Sequence, residues 1–198
     1  MKFVIGLTGG IGSGKSYVAR LLEAEFGVPV YNCDSEAKRI MTTDAEVRSA
    51  IVGLVGPDAY QPDGSLCREA VARYLFASAH HAQCLNAIVH PAVRADAEAW
   101  FERLAQDACP PPVAALESAI LIEAGFRSLT DKLLVVEAPT EVRIQRVCRR
   151  DGLTPAQVRA RIAAQLDDES RRRQADYVVM NDGRDLHSQL TALMRALH

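Results

Sequence analysis

The sequence predicts an α/β protein: a five-stranded parallel sheet with helices on both faces, a helical insertion and a lid. Two observations predict it. Short β-rich apolar runs alternate with stretches whose apolar residues recur every three or four positions, and the first such run passes through a glycine-rich loop into a helical pattern. At 198 residues, 48% hydrophobic and 24% charged, the chain can bury one core of domain size. Within 1–198 as a single unit, the core is expected over 1–34, 113–149 and 174–198, the insertion over about 35–112 and the lid over about 150–173.

The first strand is read over Lys2 to Thr8 and the first helix over Ser16 to Phe26, where Val18, Leu21, Leu22 and Phe26 hold helical spacing. Val28 to Tyr31 is the second strand, with Asn32-Cys33-Asp34 at its end and a helix from near Ser35. Thr43 and Glu46 suggest a capping box, and Pro57 to Gly64 is rich in turn residues. Leu66 to Gln106 reads as helix throughout, punctuated at His90-Pro91, since a residue before proline is pushed out of helical geometry. After a rigid loop at Cys109 to Pro112, Val113 to Leu116 and Lys132 to Val136 are strands, each followed by a glutamate, Glu117 or Glu137. Thr140 to Arg150 is a basic helix, and Thr154-Pro155-Ala156-Gln157 marks the start of the next. Tyr177 to Met180 is the fifth strand, followed by a helix from about Leu186 to Leu197.

Composition excludes several classes. The apolar runs Ala114 to Leu116 and Ala119 to Ile122 are interrupted by Glu117 and Glu123, far short of the roughly 20 apolar residues of a membrane span. Phe3 to Leu7 leads at once into the glycine-rich loop and so reads as a core strand rather than a secretory segment. A cytoplasmic protein without membrane contact is expected. The five scattered cysteines lack C-x-x-C pairing and are expected as reduced, mostly buried thiols. Net charge is −2, which argues against a nucleic-acid binder, yet Arg143 to Arg173 holds nine arginines against four acids. An anion is expected to meet that segment, a solvated helical face being the other reading, and among Arg159, Arg161 and Arg171 to Arg173 at least one is expected to be merely solvated.

Gly9-Gly10-Ile11-Gly12-Ser13-Gly14-Lys15-Ser16 matches G-x-x-x-x-G-K-[ST] between a strand and a helix. This is the P-loop of a P-loop NTPase. Successive backbone N–H groups from Gly10 to Tyr17 would surround phosphate oxygens of ATP, Lys15 would neutralise the β/γ oxygens, and the Ser16 hydroxyl would ligate Mg²⁺. A P-loop names the donor and leaves the acceptor open. Asp34, beyond the second strand, could accept the proton of an attacking hydroxyl, or it could cap a helix opening at Ser35, and spacing leaves both roles open. Arg146 and Arg150 share one helix face, where one could stack on adenine and the other reach the transferring phosphoryl. Glu117 or Glu123 could hold Mg²⁺ through water, or serve as helix cap or surface ion pair. His90 alone reads as a structural residue at a bend. Trp100, Phe101, Tyr74 and Phe76 read as packing residues without the basic interleaving of an RNA platform.

Together these marks resemble the dephospho-CoA kinase family. Gly6-Leu7-Thr8-Gly9-Gly10-Ile11-Gly12-Ser13-Gly14-Lys15-Ser16 is similar to its N-terminal signature, and His90-Pro91-Ala92-Val93 to its His-Pro motif. Ala119 to Glu123 resembles its Pro-Leu-Leu-x-Glu segment, Arg146 with Arg150-Asp151-Gly152 its lid entrance, Arg161 to Gln165 its lid helix, and Ala175 to Asn181 its last strand. Asn32 stands where the family usually has an acid, Tyr17 where threonine is common, and Ser118-Ala119 where proline is frequent. The resemblance implies phosphorylation of the ribose 3′-hydroxyl of dephospho-CoA by ATP. It implies catalytic roles for Asp34, Lys15 and Arg150, nucleotide contacts from the P-loop, Tyr17 and Arg146, and substrate contacts from Thr8, Asp34, His90, Glu123 and Arg161. A monomer is expected, with weak self-association allowed.

Three rivals are weighed. A kinase resembling shikimate kinase also uses an acid after its second strand, but lacks an account of the His-Pro insertion. A GTP-dependent switch needs an Asn-Lys-x-Asp or Thr-Lys-x-Asp motif, and the chain has neither. A nucleotide-binding module without catalysis is separated by turnover.

Overall fold

The computed structural model describes residues 3–197, so Lys2, at the start of the expected first strand, lies outside the described residues. Five strands form one parallel sheet in the order β2-β3-β1-β4-β5: β1 (Phe3–Thr8), β2 (Val30–Asn32), β3 (Val113–Glu117), β4 (Lys132–Glu137) and β5 (Tyr177–Met180). β1 is central, pairing Leu7 with Glu117 of β3 on one side and Thr8 with Val135 of β4 on the other. Every residue of β3 is buried, the signature of a strand covered on both faces. Ile5, Leu7, Leu134 and Val136 of the sheet join Val18 and Leu22 of α1 (Lys15–Phe26) and Leu190 and Leu193 of α9 (Leu186–Leu197) in one core. Each Leu, Ile or Val so enclosed contributes about 1.5–3 kcal/mol.

The chain divides into two compact units, one formed by the segment up to Asn32 with Phe101 onward, the other by Cys33–Trp100. The first holds the sheet, α1, α9 and three helices of the arginine-rich region: α6 (Thr140–Asp151), α7 (Pro155–Ala163) and α8 (Asp168–Gln174). Thr154 caps α7 in a full capping box, as its sequence predicts. The short α8 was not foreseen; Asp167 caps it, accepting from Ser170 N–H at 2.7 Å. The second unit contains α2 (Cys33–Thr43), α3 (Ala45–Val55), α4 (Arg68–Ala77) and most of α5 (Ala79–Ala105). Arg39 of α2 bonds Asp96 of α5 at 2.7 Å.

Several expectations are corrected. The second strand starts at Val30 rather than Val28, because the Val28 amide donates to Leu22 O (3.0 Å) in the turn that closes α1 at Gly27. α2 begins at Cys33 rather than near Ser35, so Asp34 lies inside its first turn and is not its cap. Asp44, not Thr43, caps α3, accepting from Glu46 and Val47 N–H at 3.0 and 2.9 Å, while the Thr43 hydroxyl turns back onto Arg39 O. Nor does His90-Pro91 interrupt the helix: α5 runs unbroken through Pro91. The missing N–H costs one bond to Ala87 C=O, and buried Leu85, Val89, Val93, Ala97 and Phe101, each four residues apart, hold the helix against it.

All five cysteines are free, but only Cys33 is buried and Cys109 is exposed, so the thiols are not mostly buried. Phe76 is 82% exposed and packs no core; it lies about 140° around α4 from the buried Val71. Tyr74 instead stacks on His81, ring centroids 4.2 Å apart. Among the described residues no helix is long and apolar enough to cross a membrane.

Half-buried on α5, His90 has its imidazole pushed below the ordinary value of 6.5 by burial. The unfolded chain therefore binds this proton at a higher pH than the folded one, so stability falls as pH drops from about 6.5 toward the lowered value. In thermal melts, the stability gap between wild type and His90→Gln should be constant above pH 7 and shift on acidification, the wild type losing more; a gap independent of pH would contradict this assignment.

Candidate active site

The P-loop leaves the C-terminal end of central β1 and opens α1, the position at which ligands bind open parallel sheets. No side chain caps α1, so its positive end stays open to an anion. The N–H groups of Gly12, Gly14 and Ser16 donate to no group among the described residues. Others of the expected cradle are already engaged: Ser13 N–H with Gly10 O (3.1 Å), Tyr17 N–H with Gly14 O (3.0 Å) and Ile11 N–H with the Gln165 side chain (2.8 Å). Lys15 Nζ donates to Gly9 O at 2.9 Å, folding its ammonium back along the loop.

Close approach explains two glycines. At Gly14, with φ of 97°, a Cβ would stand 2.1 Å from Asn181 Nδ2; at Gly10 it would stand 2.2 Å from an Arg143 guanidinium nitrogen. Asn181 follows β5 and donates to Ser13 O at 2.8 Å. Arg146 reaches Asn181 O (2.9 Å) and Ser13 O (3.3 Å), which fixes its guanidinium beside the loop. Arg150 pairs with Asp151 at 2.7 Å and holds that carboxyl below its ordinary range. A hollow of about 270 Å³ is lined by Lys15, Ser16, Tyr17, Arg20, Arg146 and Arg150, with Gly12, Gly14 and Val147. Lys15, Ser16, Tyr17 and Arg146, expected at the nucleotide, thus share one cavity with Arg150, expected as catalytic. Tyr17 is exposed there, with the Arg20 guanidinium over its ring.

Of the two glutamates considered near the loop, Glu117 is the one that meets it. Its Oε1 accepts from Ser16 Oγ at 2.9 Å and its Oε2 from Asn32 Nδ2 at 2.6 Å, with the side chain 5% exposed. An amide at residue 32 donates where a second carboxylate would repel. Hydroxyl and carboxylate form an oxygen-donor pair suited to a hard divalent ion; among the described residues no cluster of three or more His, Cys, Asp or Glu could hold a metal. Glu123 is exposed and reaches only Leu166 N–H, at 3.4 Å. Arg161 is exposed, its guanidinium 4.0 Å from Asp151. Thr8 is buried with no partner for its hydroxyl, an arrangement that costs about 1–3 kcal/mol and suits a group kept for a ligand. Asp34 and His90 belong to the second unit, Asp34 exposed on the first turn of α2.

Sequence reasoning passed over Arg143, Asn181, Gln165 and Asp168. Arg143 lies three and seven residues before Arg146 and Arg150, on their helix face, and Asn181 follows a strand as Asp34 does; both signals were present. Gln165 and Asp168 meet their partners 154 and 25 residues away, and no local pattern announces that. Solvation fits Arg159, which bonds only the exposed Glu141, whereas Arg171 is buried.

A family model described as dephospho-CoA kinase matches residues 3–186. A dephospho-CoA kinase of Bacteroides fragilis is 42% identical over 183 residues, covering 92% of this chain and 86% of its own. The solved structure of TT1252 from Thermus thermophilus is 36% identical with a TM-score of 0.82, covering 100% of this chain and 98% of that one. A shikimate kinase from Acinetobacter baumannii is 18% identical with a TM-score of 0.57, over 99% and 94% of the two chains, and shares the fold alone.

Proposed function

The chain belongs to the dephospho-CoA kinase family, and we infer that it transfers the γ-phosphoryl group of ATP to the ribose 3′-hydroxyl of dephospho-CoA, the last step of CoA biosynthesis. The observation that carries the division of labour is the Glu117 bridge. One buried carboxylate ties Ser16, at the start of α1, to Asn32, at the end of β2, and Asp34 is two residues further along the chain.

In this reading the P-loop and α1 hold the phosphates, and Lys15 leaves Gly9 O to lie against the β/γ oxygens. Ser16 would hold Mg²⁺ directly and Glu117 through water; the ion, when bound, screens the negative charge of the phosphates. Asp34 orients the acceptor hydroxyl and takes its proton, with the Thr8 hydroxyl near the same group. Arg146 lies on the adenine side and Arg150 stabilises the charge of the loose transition state. Arg150 must exchange its partner Asp151 for phosphate, a change suited to a lid that closes over about 150–173 and excludes water. The second unit, with His90, takes the pantetheine-bearing substrate, and Glu123 and Arg161 complete its contacts from the lid side. Five cysteines outside any disulfide suit the reducing cytoplasm as the compartment.

A panel assay tests the reading. Pure protein, ATP and Mg²⁺ are given dephospho-CoA, adenosine or shikimate, and ADP is followed; it should appear fast only with dephospho-CoA. Comparable ADP release with shikimate would overturn the assignment.

A further inference from the structure

The tip of the phosphate loop is held on both sides of one residue. Ile11 N–H donates to Gln165 Oε1 at 2.8 Å, and Ile11 C=O accepts from Arg143 Nε at 2.9 Å. Arg143 in turn bonds Asp168 at 2.7 Å. The other oxygen of Asp168 accepts from Arg171 at 2.7 Å, and Arg171 reaches back to Leu166 O at 2.7 Å. Both anchors of Ile11 therefore lead to residues 165–168, the end of the link between α7 and α8 and the first residue of α8: one directly through Gln165, the other through Asp168 and Arg143. Arg143 and Arg171 are 2% and 1% exposed, so water does not compete for them.

Gly10 and Gly12 flank Ile11, and two glycines make this the stretch with most backbone freedom to lose when phosphate binds. On the chain side, Gln165 lies within the segment that the proposed function assigns to the lid. We infer that Gln165 is a positioning residue: its side-chain carbonyl holds the Ile11 amide, so a residue of the lid segment presets the shape of the phosphate loop before nucleotide arrives. The inference rests on the ATP-dependent reading above. Presetting lowers the ordering cost of binding. It also makes the position of residue 165 and the shape of the loop one variable, because displacing Gln165 pulls on the Ile11 peptide.

Gln165→Leu keeps the volume and removes the acceptor. In the nucleotide-free variant the Ile11 amide should exchange with deuterium about threefold to tenfold faster than in wild type, the range of one hydrogen bond, and the Kd for ATP should rise by a similar factor. The kcat at saturating ATP and the KM for dephospho-CoA should stay near wild type, with an unchanged melting temperature. Gln165→Glu retains an acceptor and adds a negative charge beside the phosphates. It should restore slow exchange at Ile11 while weakening ATP binding further. Unchanged exchange and ATP affinity in Gln165→Leu would overturn the role, as would fast exchange in both variants. Faster exchange throughout the loop with a lower melting temperature would also overturn it, by making Gln165 a stability residue only. Exchange and ATP binding need no turnover, so a failure of the acceptor assignment reads out separately in the panel assay.

Discussion

Asp34→Asn is expected to lower kcat by about 10² to 10⁴, the range contributed by a positioned general base, with ATP affinity nearly intact. The amide keeps the size and a hydrogen-bonding oxygen but cannot take the proton of the acceptor hydroxyl. Asp34 is exposed on the first turn of α2, where its carboxylate also meets the favourable end of the helix dipole. That second role predicts a small loss of stability, separable from catalysis by comparing melting temperatures. Since α2 starts at Cys33, no capping bond is lost in the variant. Steady-state kinetics with dephospho-CoA decide the matter: turnover at the wild-type rate would remove Asp34 from the mechanism.

Lys15→Met is expected to cost about 10² to 10³ in kcat, the loss seen when one preorganised donor is taken from a developing anionic centre. Methionine matches the length of the stem, so what disappears is the charge and the bond to Gly9 O. That bond lies within the loop and, with a charged donor, is worth about 1.5–3 kcal/mol, so the fold should persist. Because Lys15 meets the β/γ oxygens in both ground and transition states, ATP binding measured by calorimetry should weaken as well, unlike in Asp34→Asn. A Lys15→Met enzyme with undiminished kcat would mean that the ammonium does not meet the transferring group.

Much of this architecture is legible locally. Tyr177–Met180 and Leu186–Leu197 occupy the bounds assigned to them from sequence, because a β-branched apolar run and an amphipathic helix are each written into adjacent residues. Thr154 to Gln157 encodes its own helix start, and the P-loop is readable because its chemistry is carried by backbone and glycine. What fails locally is what depends on distant neighbours. Pro91 carries a local signal for a break, overruled by a buried stripe from Leu85 to Phe101. Choosing Glu117 over Glu123 requires knowing that β3 lies beside β1, which follows from the strand order and not from either glutamate's surroundings in sequence. The Ile11 clamp is less legible still. It joins residues 11, 143, 165 and 168, whose side chains individually read as loop, solvated helix and lid.

The position of the new phosphate defines the reaction. Wild-type enzyme, ATP, Mg²⁺ and dephospho-CoA are incubated, and the product is examined by phosphorus–proton correlation on the ribose. One new phosphomonoester coupled to the 3′ proton is expected, formed in step with ADP and slowed in Asp34→Asn by the same factor as kcat. A phosphate on another hydroxyl, or ADP released with dephospho-CoA unchanged, would contradict it.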